Sequence, residues 1–79
     1  MRSELLNDHL PEFAADLLRG AEEIALFLFG DSRHRRKVYH LAEKTNFPIF
    51  RLGSLLCARR TKVLRWIADQ ENRGRRLAA

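Results

Sequence analysis

A single cysteine, Cys57, leaves this chain without an internal disulfide framework, which suits a reducing compartment. No apolar run approaches the roughly 20 residues that a membrane-spanning helix needs. The opening stretch MRSELLNDHL is polar and acidic and lacks the apolar segment of a signal peptide. A cytoplasmic location and no membrane partner are therefore expected. His9, His34, His40 and Cys57 lack the paired close spacings of a zinc site. No glycine-rich phosphate loop and no nucleophile elbow are present either. No constellation assembles, so neither an enzyme, a cofactor nor a small-molecule substrate is expected.

Acidic residues also run short beyond position 31. Residues 1–31 hold Arg2 and Arg19 against seven acids, for a net −5. Residues 32–79 hold the other 13 cations against only Glu43, Asp69 and Glu71, for a net +10. Such asymmetry predicts one strongly positive surface of the kind a polyanion selects. A merely solubilising surface is the plainer alternative, and charge alone does not choose between them.

At 79 residues the chain is one domain, and its 46% apolar content allows a compact core. Residues 1–19 read as a polar lead-in that can hold a short helix. Asn7 or Asp8 would cap it, Pro11 would sit in its first turn, and Phe13, Ala14, Leu17 and Leu18 would form its apolar stripe. Gly20 punctuates the chain. Ala21, Ile24, Ala25 and Leu28 then repeat at i, i+3, i+4 and i+7, with Glu22 and Glu23 in the first turn and Gly30 at the end. Asp31 or Ser32 caps the next helix, in which Val38, Leu41 and Ala42 face inward and Arg36, Lys37, His40, Glu43 and Lys44 face out. Pro48 stops that helix and pushes Phe47 extended. The runs IFRL and LLCA flank Gly53-Ser54, the signature of a two-residue type II′ hairpin. Thr61 would cap a last helix with Val63, Leu64, Ile67 and Ala68 on one face, and Gly74 would close it. The expected organisation is a lead-in over 1–19, a domain over 20–72 and a flexible basic tail over 73–79. The core candidates are Ile24, Leu28, Val38, Leu41, Ile49, Leu55, Val63, Leu64 and Ile67, with Trp66 as a large packing block and Cys57 as a small buried one. Leu26, Phe27 and Phe29 cannot share one helix face with Ile24 and Leu28, so either residues 10–18 cover them or they form a partner surface.

Helix, turn, basic helix, hairpin and helix make a mainly α chain with a small β-hairpin, the order of a winged helix-turn-helix. Glu22-Glu23-Ile24-Ala25, the basic Arg35-Arg36-Lys37-Val38-Tyr39-His40-Leu41, Pro48, Arg51-Leu52-Gly53 and Trp66-Ile67 stand in the order of one known pattern. Over residues 18–70 the chain resembles the excisionase-type winged-helix family, related to the MerR-type DNA-binding domain. It departs from that family between Leu28 and Tyr39, where GDSRHR makes the turn longer. The resemblance implies double-stranded DNA as partner, with the second helix in the major groove and the wing on backbone or minor groove. It also implies a role in excision of mobile elements (as a recombination directionality factor) or as a small transcriptional regulator.

The residues themselves agree on the essentials. A helix fits the major groove, where Arg and Lys reach guanine edges while other cations neutralise phosphates. Arg35, Arg36, Lys37 and His40 are the best groove candidates, preceded by Arg33 and His34. Tyr39 has two readings, packing at the core edge or a hydroxyl on a phosphate. Lys44 either complements the helix dipole or meets a phosphate. Arg51 and Ser54 at the hairpin tip, and Arg59 and Arg60 beyond it, complete the candidate DNA contacts, although Arg59 or Arg60 would equally satisfy Glu22 or Glu23. Neighbouring copies on DNA, through contact of the acidic first third with a basic surface, or a recombinase are further expected partners. The rival reading is a protein-interaction module on the same scaffold, binding a recombinase or transcriptional regulator.

Overall fold

The computed structural model describes residues 12–78, with side chains through Gly74. A helical segment over 12–16 (α1) runs into strand β1 (Leu17–Arg19) and helix α2 (Gly20–Phe29). One 3-10 turn, Ser32–His34, leads into α3 (Arg35–Lys44). Strands β2 (Phe50–Leu52) and β3 (Leu55–Arg59) form a hairpin, and α4 (Arg60–Ala78) ends the described chain. The result is mainly helical, with one three-stranded antiparallel sheet in the order β1-β3-β2. No helix among the described residues is long and apolar enough to cross a membrane. Asn7, Asp8 and Pro11, the expected start of the first helix, lie outside the described residues.

Local signals explain most of these elements. Gly30 takes a φ of 74°, left-handed, and its N–H bonds back to the Leu26 carbonyl at 2.9 Å, which ends α2 where a side chain would be strained. Asp31 accepts from the Arg33 N–H at 2.9 Å and so caps the 3-10 turn, while α3 itself begins without a side-chain cap. The extra residues of GDSRHR are thus a built turn. At the other end of α3, Thr45 donates both its N–H and its hydroxyl to the Leu41 carbonyl, and its Oγ1 accepts from the Phe47 N–H at 3.1 Å. Across Pro48, the Ile49 N–H reaches the Phe47 carbonyl at 2.9 Å, a three-residue turn that starts the extended run into β2.

The core forms where α2, α3 and α4 meet the inner face of the sheet. Leu18, Ala21, Ile24, Ala25, Val38, Phe47, Leu56, Ala58 and Val63 are buried together, with Leu28, Leu41, Ile49, Trp66 and Ile67 packed around them. Phe47 meets Trp66 edge-to-face at 5.1 Å, and the Trp66 indole N–H donates to Asn46 Oδ1 at 2.8 Å. Cys57 is fully buried, as expected.

Four expectations need correction. Leu17 and Leu18 lie in a strand and not in a helical stripe. Three residues are too short to show a period, and pairing with β3 (Leu17 opposite Arg59, Arg19 opposite Cys57) overrides local preference. The boundary between residues 19 and 20 accordingly divides nothing, because β1 is one edge of the sheet. Leu55 and Leu64, expected in the core, are 44% and 55% exposed. Strand alternation turns Leu56 and Ala58 inward instead, and Leu64 is rotated about 100° from Val63 on its helix. Gly74 does not close α4, which continues to Ala78 through the expected flexible tail. One glycine costs a helix only about 1 kcal/mol, and no proline follows it.

The β2–β3 turn gives a first prediction. Leu52 pairs with Leu55 around Gly53-Ser54, and Gly53 has a φ of 65° while no non-glycine residue among those described is positive. Those φ signs match a type II′ turn. A Cβ at Gly53 would meet nothing within 4 Å, so the penalty of Gly53→Val is backbone strain alone. Denaturant unfolding should show a loss of about 1–3 kcal/mol for Gly53→Val and little change for Ser54→Val.

Asp16 gives a second. Burial pushes its carboxyl up, but hydrogen bonds from the Thr61 side chain and backbone, together with the Arg59 guanidinium, outweigh this and hold it below its ordinary value of 3.8. A lowered folded value means that its contribution is complete above the ordinary value and is lost as pH falls below it. Asp16→Ala should cost about 1–2 kcal/mol at neutral pH. In thermal melts the gap between wild type and variant should close as pH drops below that ordinary value.

Candidate functional site

On α3 the inward side is set by Val38, which is fully buried, with Leu41 and Ala42 half-buried beside it. At about 100° per residue, Arg36, His40 and Glu43 fall directly opposite, and Tyr39 and Lys44 flank them. All five are exposed. None of these five makes a hydrogen bond or salt bridge to another described side chain. This row is an exposed, largely cationic surface without partners among the described residues.

The other cations of the stretch are engaged within the chain. Arg33 grips Asp31 through Nε and Nη2, at 2.8 Å for the shortest contact. That pairing lowers the Asp31 pKa and raises that of Arg33. Arg35 Nη1 donates to Glu22 Oε2 at 2.7 Å, with both side chains exposed. His34 packs edge-on against Phe29 at 6.1 Å, and Lys37 places its ammonium 5.2 Å from the same ring. Arg35 and Lys37 therefore clasp opposite ends of α2 and fix how α3 crosses it.

Tyr39 is 51% exposed, outside the buried core, an exposure that suits both packing at the core edge and a hydroxyl on a phosphate. It lines an open cleft of about 590 Å³ with Arg19, Glu22, Arg35 and Leu55, between the start of α2, α3 and the hairpin. At the hairpin tip, Arg51 Nη1 donates to the Ser54 carbonyl at 3.3 Å, and both residues are exposed. The hairpin and α3 thus border the same cleft.

Arg59 and Arg60 are held elsewhere. Arg59 Nε donates to Asp16 Oδ2 at 2.9 Å, and its guanidinium lies over the Phe13 ring at 5.3 Å. Arg60 donates to the carbonyls of Ala15 and Leu17 and stacks over Phe27 at 5.8 Å. Neither meets Glu22 or Glu23: Glu22 holds Arg35, and Glu23 accepts from the Arg19 N–H at 2.8 Å. Both guanidiniums are therefore engaged by α1, β1 and Phe27 of α2. Asp16, one of the acids of the first third, is held inside the chain by Arg59 and Thr61. Of the surplus apolar residues, Phe27 packs against the core, whereas Leu26 and Phe29 stay 55% and 39% exposed.

Glu43 shares the open row, yet a search for cations passes over it. Its signal was the i, i+4, i+7 spacing of residues 36, 40 and 43. Among the described residues no group of three His, Cys, Asp or Glu side chains is placed to hold a metal. Comparison with known proteins yields no relative: no family model, no curated protein and no solved structure matches the chain.

The two arginine pairs should differ sharply when broken. Arg35→Ala removes an exposed ion pair and should cost under about 1 kcal/mol. Arg59→Ala leaves the Asp16 carboxylate, 11% exposed, without its guanidinium and should cost about 1–3 kcal/mol in the same denaturant titration.

Proposed function

We propose that this protein binds double-stranded DNA in sequence-specific fashion, as a winged helix-turn-helix with α3 in the major groove and the β2–β3 hairpin as the wing. The observation that carries this reading is the open row of α3. Arg36, His40 and Lys44 stand on the face opposite Val38, unpaired among the described residues, in a stretch (residues 32–79) of net +10. A helix about 10–12 Å across fits a groove about 12 Å wide. The succession of α1, β1, α2, α3, a hairpin and α4, with β3 central in the sheet, suits this assignment. So does the resemblance to the excisionase-type family, under which the protein would act by occupying or bending DNA, in excision of a mobile element or at a promoter.

Within this reading the cations divide their roles. Arg36 and His40 reach base edges, and Lys44 and Arg51 meet phosphates on either side. Tyr39, from the cleft between helix and hairpin, offers its hydroxyl to the backbone. Arg35 and Lys37 hold the helix at its angle as much as they add charge. The exposed Leu26 and Phe29 on α2 favour a second reading, a protein-interaction module that binds a recombinase or transcriptional regulator.

Titrating the protein with duplex DNA at several salt concentrations separates the two. A DNA binder loses affinity steeply as salt rises, because each phosphate contact releases counterions. Arg36→Ala should weaken binding to the preferred site by about 1–3 kcal/mol, and Lys44→Ala should weaken all sequences alike and flatten the salt slope by about one. A salt-independent affinity, or none, would remove the DNA reading.

A further inference from the structure

We infer that Glu43 is a specificity-determining residue of α3, accepting a hydrogen bond from the exocyclic amine of a cytosine in the major groove. The inference rests on the DNA-binding reading and deepens it. Arg36, His40 and Glu43 form one row at i, i+4 and i+7, straight across the helix from the fully buried Val38. Any surface that presses Arg36 and His40 to DNA carries Glu43 with it. A carboxylate there is repelled by phosphates and loses water on entering the groove. Base-edge donors are what can offset this, and cytosine N4 is the donor that Glu or Asp side chains accept from.

The acid's own circumstances support this role. Asp16, Glu22, Glu23 and Asp31 each hold a donor from within the chain. Glu43, like Glu12, Asp69 and Glu71, holds none among the described residues; of these four it alone lies on α3, in line with Arg36 and His40, with its acceptor capacity unspent on folding. A rise of 1.5 Å per residue puts it about 10 Å along the axis from Arg36, or about three base-pair steps of 3.4 Å. The row therefore spells a guanine read by Arg36 and, about three base pairs away, a cytosine read by Glu43.

Selection of binding sites from a random duplex library, using the full chain, tests this. Wild type should enrich sites in which a cytosine stands at that distance from the guanine whose preference Arg36→Ala removes. Glu43→Ala should keep the guanine but lose preference for the cytosine, by about 5- to 150-fold in relative affinity. Its affinity for unrelated duplex should be unchanged or higher, since a repulsive charge is gone. Glu43→Gln should move the preference toward adenine, which Gln reads at N6 and N7, a change that misfolding cannot mimic. If both variants select the wild-type site, Glu43 is only a solvated surface residue and the inference is wrong. If wild type enriches no sequence, the DNA-binding reading fails first and takes this one with it.

Discussion

The structure turns on one carboxylate. Asp16 accepts from the Arg59 guanidinium at 2.9 Å, the Thr61 N–H at 2.9 Å and the Thr61 hydroxyl at 2.7 Å. The backbone bond matters most, because the first turn of α4 has N–H groups with no partner inside the helix. Asp16 caps that turn from 45 positions earlier in the chain. Its negative charge also sits at the positive end of the α4 dipole. Three elements are tied at this point: the end of α1, the end of β3 and the start of α4. Arg60 reinforces the knot by bonding the carbonyls of Ala15 and Leu17. β1 is thereby held against β3 at the edge where the sheet would otherwise fray.

From that knot the placement of α3 follows in two steps. The sheet and α4 build a floor of Leu56, Ala58 and Val63, on which α2 and α3 rest through Ile24 and Val38. Side chains at the periphery then remove the remaining freedom. Arg35 on Glu22 and Lys37 on Phe29 fix the angle between the helices, and Phe47 with Trp66 locks the exit of α3 to α4. Each surface pair contributes little by itself. Spread around both ends of one ten-residue helix, they leave it a single orientation, with the Arg36 row outward.

How much of this the sequence disclosed depends on the range of each interaction. Helices α2 and α3, the hairpin and the turn at Gly53-Ser54 are written in periods and turn residues within ten positions of one another. Gly30 ends its helix for a reason that glycine alone supplies. Thr61 does lie in the first turn of α4, but its cap comes from Asp16, and nothing local distinguishes Asp16 from Glu12 or Asp8. β1 was hidden for the same reason: Leu-Leu-Arg fits a helical stripe as well as a strand, and only a partner 40 residues away decides. The candidate site divides likewise. Arg36, His40 and Lys44 were legible as the outward face of an amphipathic helix. That Arg59 and Arg60 serve the fold was not, because their charge looks the same whether a phosphate or a carboxylate receives it.

That division gives the charge asymmetry a physical meaning. Residues 1–31 are net −5, but Asp16, Glu22, Glu23 and Asp31 are consumed by donors that the fold must satisfy. Three arginines from the basic stretch, Arg33, Arg35 and Arg59, are among those donors. What is left exposed on α3 is therefore a residue of the fold's own pairing, Arg36, His40, Glu43 and Lys44, selected by geometry and not by charge alone. Under the proposed function, a module of this size buries only about 600–1,000 Å² on DNA. So small an interface cannot distribute recognition over many contacts. A short row of unpaired polar side chains on one helix, with both donors and an acceptor, is what such a surface can use to tell one sequence from another.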